Sequence, residues 1–222
     1  MRKISIKCTF TEPVLGTSPA NQDIYRDFIG SKAPDAASIE EEIEALGADE
    51  VAEKGMTVFP RNAKDEPILW DYQVKGFFKD ACSMLARVGG KDESGKRKKV
   101  NESSKLTAYK KIIDGLIFVF PRQIVFHADE DMNICQRPLR AQTMQGERVA
   151  LAMSEEIPAG STIEFEVMCM CDEHLDAVIE WLDYGQLRGI GQWRNSGKGR
   201  YVYEAFDENG NRIAGTKQAE AV

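Results

Sequence analysis

Histidine is nearly absent from this chain of 222 residues: His127 and His174 are the only two. That scarcity restricts general acid–base chemistry, which near neutral pH leans on imidazole more than on any other side chain. The sequence also has no G-x-x-x-x-G-K-[ST], no G-x-S-x-G and no H-E-x-x-H. It therefore offers no Walker-type phosphate loop, no strand-to-helix serine nucleophile and no helical zinc site. No apolar run is long enough to cross a membrane, and the first residues carry no secretory pattern. Together with five cysteines, an odd number, this predicts a reduced, cytoplasmic protein without membrane contact. Cys169 and Cys171 share one face of the alternating stretch EFEVMCMC beside Val167, which reads as core packing. No second cysteine pair completes a ligand set, so neither metal nor cofactor is expected.

Bases are in the minority as well, and the net charge of −7 argues against a protein that coats nucleic acid by bulk electrostatics. The charges are segregated, however. Residues 33–53 hold eight acids and no base, whereas Lys96 to Lys111 carries seven bases against Glu102 alone. A local basic surface can thus coexist with an acidic total. With 42% hydrophobic and 29% charged residues, the composition is that of a globular protein, and the length fits a single elaborated domain over 1–222.

From Tyr184 to Tyr203, YGQLRGIGQWRNSGKGRYVY, five glycines, four bases and a tryptophan occur without an acid. Glycine costs roughly 1 kcal/mol relative to alanine in a helix, so five of them need another reason. One reason is a polyanion. Gly189 and Gly191 would let backbone N–H groups approach phosphates, Arg188, Arg194, Lys198 and Arg200 would neutralise charge, and Trp193 would offer a stacking surface. The other reading is a mobile, solvated surface loop.

Elsewhere the chain alternates between strand and helix patterns. Ile4, Ile6, Cys8 and Phe10 alternate with polar residues as in a half-buried strand. A turn-rich segment follows, then a short helix near Ile24 to Ile29. Ser38 and Glu41 form a capping box that opens an acidic helix ending near Gly47, within an insertion over 33–55. Val74, Phe77, Phe78, Ala81, Cys82 and Leu85 mark a helix whose start presents Lys75 and Gly76 and which stops at Gly89–Gly90. Residues 89–106 lack core positions and read as a flexible basic loop. It is either a solvated excursion or a finger laying Lys96, Arg97, Lys98 and Lys99 along a nucleic-acid backbone. Strands are expected over Leu116–Phe120 and Gln123–Phe126, broken at Pro121, and again on either side of a turn at Pro158–Gly160. An amphipathic helix is expected from Asp172 to Tyr184, ended by Gly185, with His174 on its surface. Arg200–Phe206 alternates again before a hairpin turn at Asn209–Gly210 and a frayed tail from Gly215. This mixture favours an α+β domain with an antiparallel sheet.

Three segments, in order, resemble motifs of the RAMP superfamily of CRISPR-associated proteins: EPVLGTSP around Gly16, PILWDYQVKGFFKDA with Lys75 and Gly76, and GQLRGIGQWRNSGKGRY. The second departs from the family pattern, with Asp71, Tyr72 and Gln73 where a proline and serines are usual. The resemblance implies a ferredoxin-like, RNA-recognition-type antiparallel sheet with helices on one face and inserted loops. It also implies that Lys75 and Gly76 open a helix whose N-terminus faces a phosphate, while Arg188, Arg194 and Lys198 grip the same strand. The plainer alternative is that Gly76 permits close helix packing and Lys75 is solvated.

Only His127, after the strand QIVF, invites a catalytic reading, against that of an ordinary strand-end histidine. Asp129, Glu130 and Asp131 read as a solvated turn, not a magnesium site. The expectation is a non-catalytic binder of single-stranded nucleic acid, RNA before DNA, that self-associates or joins a larger ribonucleoprotein complex. The alternatives are a phage or mobile-element protein that engages or mimics a host complex through its acidic helix, and an endoribonuclease using His127.

Overall fold

The computed structural model describes residues 1–19, 56–91, 93–95, 98–143 and 146–216. The helices expected near 24–29 and 38–47, the insertion over 33–55, Lys96, Arg97 and the last six positions lie outside the described residues.

The alternating apolar residues of Arg2–Phe10 (β1) place Ile4, Ile6, Cys8 and Phe10 in the core. Short strands follow at Val14–Leu15 (β2), Ser18–Pro19 (β3), Thr57–Val58 (β4) and Ile68–Trp70 (β5). The chain continues through the helix Asp71–Leu85 (α1), two shorter helices, Glu102–Lys105 (α2) and Tyr109–Leu116 (α3), and the strands Ile117–Phe120 (β6) and Gln123–His127 (β7). Next come a long hairpin, Asn133–Thr143 (β8) with Gly146–Ile157 (β9), then Thr162–Cys169 (β10), the helix Glu173–Arg188 (α4), Tyr201–Phe206 (β11) and Arg212–Gly215 (β12).

The main sheet runs β12-β11-β1-β10-β7-β5, with β6 also paired to β10. β10 is antiparallel to β6 through Glu166–Cys169 and to β7 through Thr162 and Ile163, so β6 and β7 are two halves of one strand interrupted at Pro121, which has no N–H to donate. Counting that strand once, β1, α1, β6/β7, β10, α4 and β11 form a β-α-β-β-α-β unit with spatial strand order 4-1-3-2. This is the ferredoxin-like α+β fold. The helices cover one face, packing Val74, Phe77, Phe78, Ala81 and Cys82 of α1 and Leu175, Val178, Trp181 and Leu182 of α4 onto the buried residues of the strands. Among the described residues no helix is long and apolar enough to cross a membrane.

A second sheet, β2-β9-β4-β3 with β8 on β9, is assembled from the short strands β2, β3 and β4, which precede α1, and from the β8–β9 hairpin inserted between β7 and β10. Its β8–β9 hairpin pairs Asn133 with Glu156 through to Thr143 with Gly146, a ribbon about 35 Å long at the usual strand rise of about 3.4 Å. Only one strand was expected before Pro158 in this region. The unbroken apolar run Val149–Met153 carries no period of two that would mark a second strand.

Several expectations are corrected. α1 begins at Asp71, not at Lys75, because the Gln73 side chain accepts from the Trp70 N–H (2.7 Å) and closes the first turn there. α4 continues through Gly185 to Arg188, since that glycine is a packing residue: a Cβ on it would stand 2.0 Å from the Tyr201 hydroxyl and 2.7 Å from Phe77. His174 is buried, not on the surface. Gly215 pairs with Glu204 and is no frayed end.

The 89–106 segment also contributes to the core. Ser103 on α2 is buried; its N–H and hydroxyl both donate to the Glu180 carboxylate (2.9 Å each), and its oxygen accepts from the Trp181 indole N–H (2.9 Å). Ser103→Ala strands that buried N–H and removes one donor from Glu180. The expected loss is about 1–3 kcal/mol of unfolding free energy, read as a lower urea midpoint at unchanged slope.

Candidate nucleic-acid interface

The glycine-rich segment is an ordered ring, and its neck explains two of its glycines. The Ile190 N–H donates to the Gly199 carbonyl (2.9 Å), and the Gly199 N–H donates to the Pro13 carbonyl (2.9 Å). Gly189 and Gly199 adopt φ of 76° and 73°, and the two sides approach so closely that a Cβ on Gly189 would lie 2.4 Å from the Lys198 carbonyl oxygen. Gly189 also terminates α4. Gly191 and Gly197 have positive φ without such crowding. The mobile-loop expectation is therefore replaced by a loop whose ends are clamped and whose tip runs from Gly191 to Gly197.

At that tip Trp193 adopts φ 51°, a conformation unfavourable for a bulky residue, and the residue is 41% exposed. The Arg137 guanidinium of β8 lies 4.8 Å from the centre of the indole and reaches the Gln192 amide oxygen. Arg188, Gly191, Gln192, Trp193, Arg194 and Asn195 line a shallow cavity of about 310 Å³. Arg137 was not among the residues anticipated from sequence. The signal was weak, one arginine in a polar run, because its role arises from the hairpin register.

Three of the four anticipated loop cations have carboxylate partners. Arg194 meets Asp80 of α1 at 2.6 Å, Arg188 stands 3.7 Å from the same carboxylate and donates to Asn195 (2.8 Å), and Lys198 pairs with Glu156 at 2.6 Å. Arg200 donates from Nε to the Leu187 carbonyl (2.9 Å) and is exposed, with no carboxylate partner among the described residues. Counting Arg137, five cations surround the tip against the carboxylates of Asp80 and Glu156. Cys135, at the hairpin base, is held above its ordinary thiol value by burial and then by Glu156, which keeps it a poor nucleophile.

The three sequence segments converge on this end of the sheet. The Thr11 and Glu12 N–H groups both reach the Arg200 carbonyl, Gly16 donates to the Glu155 carbonyl (2.9 Å), and the Gln73 side chain donates to the Thr17 hydroxyl (2.7 Å). The loop after β1 thereby ties the glycine-rich ring to the start of α1. Gly16 permits this, since a Cβ there would meet the Val58 backbone at 2.5 Å.

Lys75 and Gly76 lie a full turn inside α1, so their N–H groups are not at its open N-terminus. The Lys75 ammonium sits 5.0 Å above the Phe118 ring, and a Cβ on Gly76 would touch nothing within 4 Å. Lys98 and Lys99 are exposed beyond the C-terminal end of that helix, where the Lys98 N–H donates to the Gly90 carbonyl (3.2 Å). The structure does not bring them to the glycine-rich ring. His127 is exposed at the end of β7 opposite Thr162, and its side chain has no hydrogen-bond or ion-pair partner among the described residues. No group of three or more potential metal ligands occurs among the described residues.

No family model matches the sequence, and no curated protein matches it. Among solved structures, the chain is similar to one in the cryo-EM structure of the Type III-B Cmr-beta bound to cognate target RNA. The TM-score is 0.52 at 8% identity, covering 97% of this chain and 60% of that one. This chain thus spans about 60% of the length of its structural neighbour. At that identity the likeness shows the α+β fold, shared by a chain of an RNA-bound complex.

Proposed function

We propose that this is a RAMP-type, non-catalytic protein that binds single-stranded nucleic acid, RNA in preference to DNA, as part of a larger ribonucleoprotein assembly or a filament of its own copies. The observation that carries the reading is the convergence at one end of a ferredoxin-like sheet. There the loop after β1, the start of α1 and the glycine-rich ring meet, and cations outnumber carboxylates around an exposed Trp193. Phosphates would be met by Arg200, Arg188, Arg194 and Lys198, with the indole available to a base. That the structural neighbour is a chain of an RNA-bound complex is consistent with this use of the fold.

Fluorescence anisotropy of a labelled single-stranded RNA across a salt series tests it. The logarithm of the binding constant should fall linearly with the logarithm of salt, and Arg200→Ala should lower the slope by about 0.7, the share of one single-stranded phosphate. Absence of salt-sensitive binding overturns the reading. Shortening of the RNA that His127→Ala abolishes replaces it with the endoribonuclease.

A further inference from the structure

Aromatic rings and cations alternate along the edge formed by β5, the first turns of α1 and β6. Trp70 and Tyr72 lie nearly parallel, 6.2 Å between ring centres at 13°. Arg122 lies 5.7 Å from the centre of the Trp70 ring, held there because the Asp71 N–H donates to its carbonyl and Trp70 pairs with Gln123. Tyr72 is 53% exposed and Phe120 44%. Lys75, three residues after Tyr72 and hence on the same helix face, covers Phe118. Its neighbour Gly76 has no packing reason to lack a side chain, yet glycine within a helix costs about 1 kcal/mol relative to alanine. A side chain at position 76 would thus stand beside Lys75 without touching any described residue.

We infer that this edge is a base-stacking platform: unpaired bases of a single strand stack on Tyr72 and Trp70, while Lys75 and Arg122 meet the flanking phosphates. The inference rests on the proposed nucleic-acid function and adds where the bases go. A duplex, whose bases are already stacked on one another, cannot use such rings, whereas every base of a single strand has a π-face to offer. Two of the rings carry a cation, so the patch is complementary to a polyanion with flat substituents and not to an apolar protein face. It is also continuous with the glycine-rich ring, through the Gln73–Thr17 hydrogen bond and the loop that Pro13 anchors. Asp114, the carboxylate beside Lys75 on α3, is engaged by Lys79 at 2.6 Å.

The full chain is titrated with labelled oligouridylate and with an abasic strand of equal length. Tyr72→Leu should weaken oligouridylate binding about tenfold, within the range that stacking of one base supports, with the salt slope unchanged, and Tyr72→Phe should bind as the parent does. The abasic strand should not distinguish Tyr72→Leu from the parent, a result that a misfolded variant would not give. Lys75→Ala should instead lower the salt slope by about 0.7 on both strands. If Tyr72→Leu weakens both strands equally, or neither, while Arg200→Ala still reduces the slope, the platform is overturned, the nucleic-acid reading stands, and the edge is a protein contact. If the parent binds no single strand, both fall.

Discussion

Gly199→Ala should lose about 3–5 kcal/mol of unfolding free energy and, with it, the salt-sensitive RNA binding proposed above. The added Cβ would stand 1.9 Å from the Ile190 carbonyl oxygen, and φ of 73° is itself costly for alanine, by about 1–2 kcal/mol. The clash cannot be relieved locally. The Ile190 N–H is bonded to the Gly199 carbonyl, and the Gly199 N–H to that of Pro13, so any shift opens the neck of the ring and sacrifices hydrogen bonds worth about 1 kcal/mol each. For a domain of this size the loss corresponds to roughly 10 °C in Tm, measurable by calorimetry. Gly76→Ala provides the opposite sign. That helix position has nothing within 4 Å of the added carbon, so the fold should gain about 0.5–1 kcal/mol. Equal losses in both variants would refute the distinction between glycines needed by the ring and one the fold does not need.

That distinction was beyond the reach of the sequence. Five glycines among four cations are equally compatible with a mobile loop and a rigid ring. What decides is contact between Gly189 and Lys198, and between Gly199 and Ile190, pairs nine residues apart with no local signature. Gly185 misleads for the same reason: glycine is a common helix stop, but here its missing Cβ seats Tyr201 and Phe77 and the helix runs on for another turn.

Where structure follows from local period, the reading held. The alternation of Ile4, Ile6, Cys8 and Phe10 and the i, i+3, i+4 spacing of Val74, Phe77 and Phe78 led to β1 and α1, and from the order of elements to the α+β class. The break at Pro121 and the turn at Asn209–Gly210, where the Asp207 carboxylate accepts from the Asn209 and Asn211 N–H groups, were also legible. The β8–β9 ribbon was not, because its partners are each other and the small second sheet, so few of its positions carry an apolar period. Arg137 was missed with it. Asp80 was missed too, since a single acid on a helix gives no hint that two arginines more than a hundred residues later will meet it.

Asp80→Asn should tighten the proposed RNA binding about tenfold at physiological salt and steepen its salt dependence by about 0.7–1.4, one or two phosphates' worth. The carboxylate holds Arg194 at 2.6 Å and stands 3.7 Å from Arg188, with all three side chains between a quarter and a third exposed. A pair in that setting adds at most about 1 kcal/mol to the fold, so the amide should be nearly neutral in stability. Its effect on an incoming polyanion is larger. In the parent each arginine must exchange a carboxylate for a phosphate, releasing little counterion, and the displaced carboxylate then repels the strand. With asparagine, the side-chain oxygen can still accept from Arg194 and hold its plane, while the charge is removed. Weaker binding by Asp80→Asn would mean that Asp80 serves to aim the guanidinium groups and that orientation outweighs charge at the ring. The Lys198–Glu156 pair, more buried at 2.6 Å, separates the two accounts. Glu156 also belongs to β9 beside Leu15, so Glu156→Gln should repeat the gain in affinity if charge governs binding, and should repeat the loss if positioning does.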